Sequence, residues 1–173
     1  GEGEGPVSHI IDDESSSIWH SKYNDNGAGG HDERLNLSDP FQITVDLGQE
    51  TTFRCFSYTP RQGGGVNGRF RHYELYVADT EEELNNKVSS NEYLSRGDIE
   101  YTSKKTTLII YDTAVTGRYI ALLSLKHDGY GTCAELNLYS DPPSLPEPTP
   151  SPTPIPVTTY LVDYNAEGYW SSY

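Results

Sequence analysis

Short runs in which apolar and polar residues alternate occur along most of the chain and predict β-strands. The runs are rich in β-branched and aromatic residues and are bounded by Gly, Asp or Pro. They cover residues 41–47, 52–58, 73–77, 107–111, 118–125 and 134–139. Many short strands joined by long loops are typical of a β-sandwich. We therefore predict an all-β fold whose binding residues lie in loops at one end of the sandwich.

One segment departs from this alternation and predicts a helix. Thr80 precedes three glutamates, and Glu83 lies three residues beyond it, which is the spacing of a capping box. We expect a short surface helix at about 80–87.

A proline-rich segment divides the chain. Residues 141–156, DPPSLPEPTPSPTPIP, contain eight of the eleven prolines, and proline removes backbone donors and favours an extended, semi-rigid conformation. We predict a discoidin-like sandwich domain over 1–141, a linker over 142–156 and a tail over 157–173. The tail is too short to form a core. It carries one predicted strand at 157–164, which either begins a truncated second domain or pairs with a partner as an added strand.

Composition excludes several classes of partner. Asp and Glu outnumber Lys and Arg by 26 to 12, for a formal net charge of -14, whereas proteins that bind nucleic acid or anionic membranes need a basic surface. No run approaches the roughly 20 apolar residues that cross a bilayer. The chain begins without Met and without an apolar signal region, so we expect a mature or excised segment.

The two cysteines leave two interpretations open. In an exported protein, Cys55 and Cys133 would form one disulfide, and two buried free thiols fit the same sequence. The spacings of a zinc site are missing. There is also no Gly-x-Ser-x-Gly motif and no base beside either cysteine, so catalysis is not predicted.

An acidic loop near the N-terminus has the oxygen ligands that calcium favours. Asp12, Asp13 and Glu14 adjoin three serines, and Ca²⁺ takes about six to eight oxygens, several of them backbone carbonyls. Glu135 is a candidate for a further carboxylate. A solvated acidic loop without metal fits the same residues. Next to this loop, strand alternation predicts that Trp19 points inward and His20 outward.

A glycine-rich stretch, YTPRQGGGVNGR at 58–69, concentrates positive charge in this acidic chain. It is not a phosphate-binding loop, because no Lys-Ser/Thr pair and no helix follow the glycines. We predict a wide turn between two strands, with Asn67-Gly68 as a tight turn. Arg61 at its rim can fork onto two oxygens of a sugar or carboxylate, or form a surface ion pair. Arg69 is predicted to be an ordinary surface charge.

The ordered motifs resemble the coagulation factor V/VIII type C, or discoidin-like, domain, and within it carbohydrate-binding module family 32. The matching segments are DDESSSIWHSKY, PFQITVDLG, FSYTPRQGGGVNGRFRHYELYVAD, GRYIALLSL and CAELNLY, over about residues 8–140. The resemblance implies a jelly-roll β-sandwich with one structural calcium and a sugar site in loops at one end.

The resemblance also implies which residues form these two sites. The implied calcium ligands are Asp12, Glu14, Ser17, Ala134 and Glu135. The implied sugar-binding residues are His20, Arg61, Asn67 and Tyr130, with the tyrosine ring stacking on the sugar and the others bonding its hydroxyls. Tyr23 is a second candidate platform. The connection at 24–39 is longer than in relatives, so it could roof the site, fill it, or replace His20 with His31.

Two functions follow from these observations. The first is a non-catalytic carbohydrate-binding module that recognises galactose- or N-acetylhexosamine-type sugars on extracellular glycans and holds one Ca²⁺. The alternative is a structural or adhesive subunit of a cell-surface assembly, whose tail pairs with a neighbouring copy as an added strand. Both place the chain outside the cell, secreted or on the cell surface, without nucleic acid or membrane insertion.

Overall fold

The structure is a computed structural model that describes residues 5–21, 40–126, 130–143, 160–164 and 170–171. A short 3-10 helix, Val7–Ile11, precedes the first strand. The remaining elements in chain order are β1 Trp19–His20, β2 Phe41–Thr59, β3 His72–Ala78, α1 Glu81–Ser90, β4 Ser95–Asp98, β5 Thr106–Ser124, β6 Thr132–Cys133, β7 Glu135–Tyr139, β8 Tyr160–Tyr164 and β9 Trp170–Ser171.

Two long antiparallel strands, β2 and β5, form the centre of the fold. The first half of β2 pairs with the second half of β5, beside β3 and β4, and its second half pairs with the start of β5, beside β7. The register between them shifts between Asp46 and Thr51 and again between Phe53 and Cys55. Such irregularities bend strands, so both strands contribute to the two layers. The predicted all-β sandwich is confirmed.

Four predicted strands are merged into these two. The sequence predicts that the first run stops at Gly48, but the strand continues past it to Thr59. Gly48 adopts a left-handed φ of 77°, and its N–H donates to the Asp46 carboxylate at 2.8 Å. The segment contains no proline that would remove a ladder donor, so the backbone resumes pairing after an irregular step.

The predicted helix is present and its start is confirmed. The Thr80 side chain accepts a hydrogen bond from the Glu83 N–H, as the capping box requires. The helix extends beyond the expected residue 87 to Ser90, because the first left-handed residue, at φ 57°, is Asn91.

The main core lies between the layers and also holds the loops at one end in place. Its largest apolar members include Ile43, Phe53, Phe56, Phe70, Leu75, Ile120, Leu122 and Leu136. Tyr58 is fully buried, and its hydroxyl donates to the Thr132 carbonyl at 3.1 Å and accepts from the Phe70 N–H at 3.0 Å. Both polar capacities are therefore satisfied, and β2, β6 and the connection between β2 and β3 are joined.

Both cysteines are free and buried, so the disulfide prediction is wrong and the alternative of two free thiols is correct. Cys133 lies in the main core, whereas Cys55 packs with Leu108 in a separate cluster. Burial raises the pKa of the Cys55 thiol to about 11 and that of Cys133 well above its ordinary value. Both thiols consequently remain neutral at physiological pH.

Part of the tail forms a strand, β8, that pairs with the sandwich of the same chain. β8 pairs antiparallel with the start of β5, where Thr106 lies opposite Val162 and Leu108 opposite Tyr160. Pairing of the tail with a neighbouring copy stays a prediction, and most of the proline-rich linker lies outside the described residues. Among the described residues, no helix is long and apolar enough to cross a membrane.

Candidate functional site

The connections that follow β2, β4 and β5 leave the sandwich at the same end. Tyr58, near the end of β2, lies opposite Thr107 at the start of β5. Tyr73, at the start of β3, lies opposite Ser124, the last residue of β5. Direct bonds join these connections: Arg69, before β3, donates to the Tyr101 carbonyl after β4, and the Thr132 N–H, after β5, donates to the Gly68 carbonyl. The glycine-rich segment is one of these loops.

The tight turn predicted at Asn67-Gly68 is confirmed. The Arg69 N–H donates to the Val66 carbonyl at 3.2 Å, and Gly68 has a φ of 76°, as the third residue of a type II turn requires. A Cβ atom on Gly68 would lie 2.7 Å from the Tyr130 ring. Glycine is therefore needed at this position both for the turn and for contact with the tyrosine. Asn67 beside it is exposed.

Arg69 is not the ordinary surface charge that the sequence predicts. It is 1% exposed, and its guanidinium donates to four backbone carbonyls. Nη1 reaches the carbonyls of Tyr101, Thr102 and Ser103 at 3.1, 3.2 and 3.1 Å, and Nη2 reaches that of Arg61 at 3.0 Å. Burial lowers the pKa of this guanidinium, but arginine stays charged in proteins. The carbonyl dipoles replace water around the cation and join two loops.

Arg61 lies at the rim of the loop, as predicted. It is partly exposed, and its Nε donates to the Gly63 carbonyl at 3.0 Å. The guanidinium also lies against Gly64, where a Cβ atom would come within 2.9 Å of Nη2. Arg69 fixes the backbone of Arg61 while the glycines leave room for its side chain. The cationic loop thus contains one buried arginine that organises it and one arginine at its surface.

His20 and Tyr130 are brought together although they are far apart in the sequence. Their rings stack with centroids 4.7 Å apart and planes 14° apart. His20 is only 5% exposed, because the Tyr130 ring covers the outer face of β1, on which the sequence predicts the His20 side chain. Trp19 packs against the main core, in agreement with the prediction. Nδ1 of His20 bonds the Ser21 carbonyl, an acceptor only, so Nδ1 carries the proton in neutral histidine.

Ser21 is a residue of this site that sequence reasoning missed. Its N–H donates to the Gly131 carbonyl at 2.9 Å, and its hydroxyl accepts from the Gly131 N–H at 2.8 Å. These bonds fasten the backbone beside Tyr130 to the end of β1. A serine next to Trp-His carries no sequence signal for such a bridge. Tyr23, His31 and the long connection at 24–39 lie outside the described residues, so their roles stay predictions.

The acidic loop folds back on itself and onto β7. The two carboxylate oxygens of Asp12 accept from the Glu14 N–H at 2.9 Å and the Ser17 hydroxyl at 2.7 Å. The Ser17 hydroxyl also lies 2.9 Å from the Glu14 carbonyl oxygen. Glu135 reaches the loop from β7, where its Oε1 accepts from the Glu14 N–H at 2.9 Å. Ala134, the remaining predicted ligand, is the buried residue immediately before Glu135.

The environment of the Glu135 carboxylate disfavours its charged form. The residue is 5% exposed, and its Oε2 is buried without a hydrogen-bond partner among the residues that the structure describes. Burial, with a contribution from neighbouring Asp12, raises the pKa of Glu135 to about 7. In contrast, the Ser17 hydroxyl lowers the pKa of Asp12. A bound cation would complete the coordination of Oε2 and offset the repulsion between the two carboxylates.

The donor set at this loop consists mostly of neutral oxygens. Within the described ranges, no three Asp, Glu, His or Cys side chains form a cluster that could hold a metal by themselves. A cation here would therefore depend on the Glu14 carbonyl and the Ser17 hydroxyl as well as on two carboxylates. Hard cations such as Ca²⁺ accept this mixture, whereas zinc favours nitrogen and sulfur.

The fold is a β-sandwich with aromatic and polar loop residues gathered at one end. Residues 1–136 match the F5/8 type C domain. The chain belongs to this family, and the resemblance seen in the sequence is confirmed.

Two curated relatives are larger enzymes. The chain is 32% identical over 148 residues to an A type blood N-acetyl-α-D-galactosamine deacetylase of Flavonifractor plautii, covering 86% of this chain and 17% of the relative. It is 27% identical over 138 residues to a sialidase of Micromonospora viridifaciens, covering 78% of this chain and 19% of the relative. The chain thus spans less than a fifth of the length of either relative.

Several solved structures with a similar fold are carbohydrate-binding modules. One is a module of Clostridium perfringens solved with GalNAc-β-1,3-galactose, with a TM-score of 0.59, 27% identity, and coverage of 79% of this chain and 84% of the module. Another is the family 32 module of C. perfringens NanJ, solved with galactose, with a TM-score of 0.58, 22% identity, and coverage of 79% and 85%. The domain therefore groups with non-catalytic binding modules.

Proposed function

We propose that this domain is a non-catalytic carbohydrate-binding module for galactose- or N-acetylhexosamine-type sugars on extracellular glycans. The observation that carries the proposal is the platform at the loop end. The partly exposed Tyr130 ring stacks on His20 and packs on Gly68, beside the exposed Asn67. Arg61 lies at the rim of the same loop.

This arrangement has the complementary chemistry for an uncharged sugar. An aromatic ring contacts the apolar C–H face of a pyranose, while polar groups around it bond the hydroxyls. The guanidinium of Arg61 donates, and the amide of Asn67 both donates and accepts. His20 stacks beneath the Tyr130 ring and, through its Nδ1 bond to the Ser21 carbonyl, holds that ring in place.

Two comparisons support the choice of sugar. The relative from Flavonifractor plautii is named for N-acetyl-α-D-galactosamine. The C. perfringens module that is 27% identical was solved with GalNAc-β-1,3-galactose. By analogy, we propose that the chain directs a larger, exported glycan-active protein to its substrate, where weak single-site binding gains strength from repeated epitopes.

We further propose that Asp12, Glu14, Ser17, Ala134 and Glu135 hold one structural Ca²⁺. The support is the buried Oε2 of Glu135, which has no hydrogen-bond partner in the described part of the chain and lies next to the oxygen-lined acidic loop. The ion would supply charge compensation there and connect the N-terminal loop to β7. Extracellular modules bind calcium with dissociation constants of roughly 10⁻⁴ to 10⁻³ M, which suits a secreted or cell-surface domain.

Calorimetric titration with galactose, N-acetylgalactosamine and N-acetylglucosamine tests the sugar proposal. We expect binding of at least one of these sugars, and a loss of about tenfold or more in affinity for Tyr130→Ala and for Arg61→Ala, because each removes a stacking or charge-assisted contact. Tyr93→Ala is the matched control, because Tyr93 is an exposed aromatic residue outside the proposed site. Absence of binding to all three sugars, or equal affinity in all variants, would refute the proposal.

A further inference from the structure

An open cleft of about 270 Å³ lies beside the loops of the proposed sugar site. It is lined by Arg71, Asp98, Ile99, Glu100, Tyr101 and Lys126. None of these residues belongs to the sites described above. They come from the ends of β4 and β5 and from the loop before β3, so the cleft opens at the same end of the sandwich.

We propose that this cleft binds a second, uncharged sugar residue of the glycan whose first residue occupies the Tyr130 platform. The inference rests on the proposed function and extends it from a monosaccharide to a disaccharide or longer chain. It is carried by the charge balance of the cleft, its proximity to the platform and its rigidity.

The charges in the cleft cancel. Arg71, 4% exposed, lies over the Tyr101 ring at 4.3 Å from its centroid. Lys126 lies 3.6 Å from the Asp98 carboxylate, which His72 also contacts at 2.8 Å.

The cleft lining therefore contains two cations, Arg71 and Lys126, and two carboxylates, Asp98 and Glu100. A charged ligand of either sign would meet a like charge. Sugar hydroxyls both donate and accept, and they match such a mixed lining.

The cleft also has an aromatic surface and an exposed acceptor. Tyr101 is partly exposed, so it offers ring surface to the C–H groups of a sugar. The Asp98 side chain is 75% exposed, and its carboxylate can accept two hydroxyl hydrogens. The cleft thus combines an aromatic ring with polar groups, as the proposed first site does, but its acceptor is a carboxylate where the first site has the Asn67 amide.

Two chain segments limit the distance between the cleft and the platform. Gly68, which contacts Tyr130, is three residues from Arg71, so their Cα atoms lie at most about 11 Å apart. Lys126 is four residues from Tyr130, which limits that separation to about 14 Å. A disaccharide or a short oligosaccharide can bridge a separation within these limits.

Backbone bonds hold the lining in place before any ligand arrives. The Ile99 N–H donates to the Arg71 carbonyl at 2.8 Å. Arg69 fixes the carbonyl of Tyr101, together with that of Arg61 in the proposed first site. One buried guanidinium thus sets the relative position of the two sites. A preorganised subsite avoids the entropic cost of ordering loops on binding.

Calorimetric titration of the full chain with the methyl glycoside of galactose and with GalNAc-β-1,3-galactose tests the inference. We expect the disaccharide to bind on the order of tenfold more tightly than the monosaccharide. Tyr101→Ala and Lys126→Ala should each abolish this difference and leave monosaccharide affinity unchanged. Tyr101→Phe should retain it. Tyr93→Ala is again the control, since its ring also lies under an arginine, with Arg96 5.2 Å away.

Amide NMR spectra of the wild-type chain provide a readout that does not depend on variants. The disaccharide, but not the monosaccharide, should shift the signals of Tyr101 and Lys126. Equal affinity for the two ligands, or loss of monosaccharide affinity in Tyr101→Ala, would overturn the subsite. Preference for a sialylated or uronic-acid disaccharide would overturn the uncharged ligand.

The two proposals fail in distinguishable ways. Disaccharide binding that survives Tyr130→Ala but not Tyr101→Ala would support the cleft and refute the Tyr130 platform. Monosaccharide binding that depends on Tyr130, with no gain from the second sugar, would support the platform and refute the cleft. Absence of binding to either ligand refutes both.

Discussion

Arg69 shows how one residue sets the form of the binding loops. Its four hydrogen bonds reach carbonyls in two loops, and within the described ranges the buried side chain has no carboxylate partner. Four carbonyl dipoles compensate the charge, which explains how an arginine can be buried there. Arg61 and Tyr101, one from each proposed sugar subsite, are both held by this contact.

Arg69→Met should therefore be strongly destabilising. It keeps a long apolar stem but leaves up to four carbonyls without their donor, and we expect a loss of about 2–4 kcal/mol in the free energy of unfolding. Arg54→Met is the matched control, because the Arg54 Nη2 donates to the Asp112 carbonyl at 3.2 Å in an exposed position; it should cost less than about 1 kcal/mol. Urea denaturation measures both. Equal losses would show that Arg69 has no special role.

At the scale of elements, an ion pair spans the irregular step between β2 and β5. Arg118 donates to both carboxylate oxygens of Asp46, at 2.7 and 2.8 Å. The pair lies next to the register shift that follows Asp46. There the sequence predicts that a strand ends at Gly48, whereas in the structure β2 continues. It is partly exposed, so its contribution is small and decreases with salt.

This pair predicts a specific pH dependence. Arg118, with help from the Gly48 N–H, lowers the pKa of Asp46 to about 2, from 3.8. Since the folded pKa is the lower one, the stabilisation is complete above about pH 4 and is lost as the pH falls toward 2. The difference in melting temperature between wild type and Asp46→Asn should be constant above about pH 5 and shrink below pH 4. A difference that does not vary with pH would contradict this assignment.

At the scale of the whole molecule, the proposed calcium site connects the N-terminal segment to the sandwich. Glu135 is the contact between the acidic loop and β7. In the absence of a cation, its carboxylate is desolvated and close to Asp12, which destabilises the charged form. Calcium should therefore stabilise the fold as well as the loop.

Calcium addition should raise the melting temperature. At a concentration about 100 times the dissociation constant, a ligand of the folded state adds about 2.7 kcal/mol, which corresponds to roughly 5–11 °C for a chain of this size. Glu135→Gln should lose most of this shift. Asp13→Asn, in the same loop but outside the proposed ligand set, should keep it. An equal calcium-induced rise in the melting temperature of wild type and Glu135→Gln would refute the site. As a control, EGTA should return the melting temperature of the wild type to its value without calcium.

Local signals in the sequence determined the secondary structure and the turn chemistry. The Thr80 cap and the Asn67-Gly68 turn depend only on neighbouring residues, and both are present as predicted. Alternation of apolar and polar residues was sufficient to predict the all-β fold class. The ordered motifs were sufficient to recognise the family, because they include residues of the loops as well as of the strands.

Only the tertiary structure decided which side chains are buried and which sites adjoin. Arg69 is buried by residues more than thirty positions away, and His20 is covered by Tyr130, which lies 110 positions later. The separate clusters of Cys55 and Cys133 and the cleft between Arg71 and Tyr101 have the same origin. Such contacts depend on strand register and loop packing between distant segments, which no local pattern encodes.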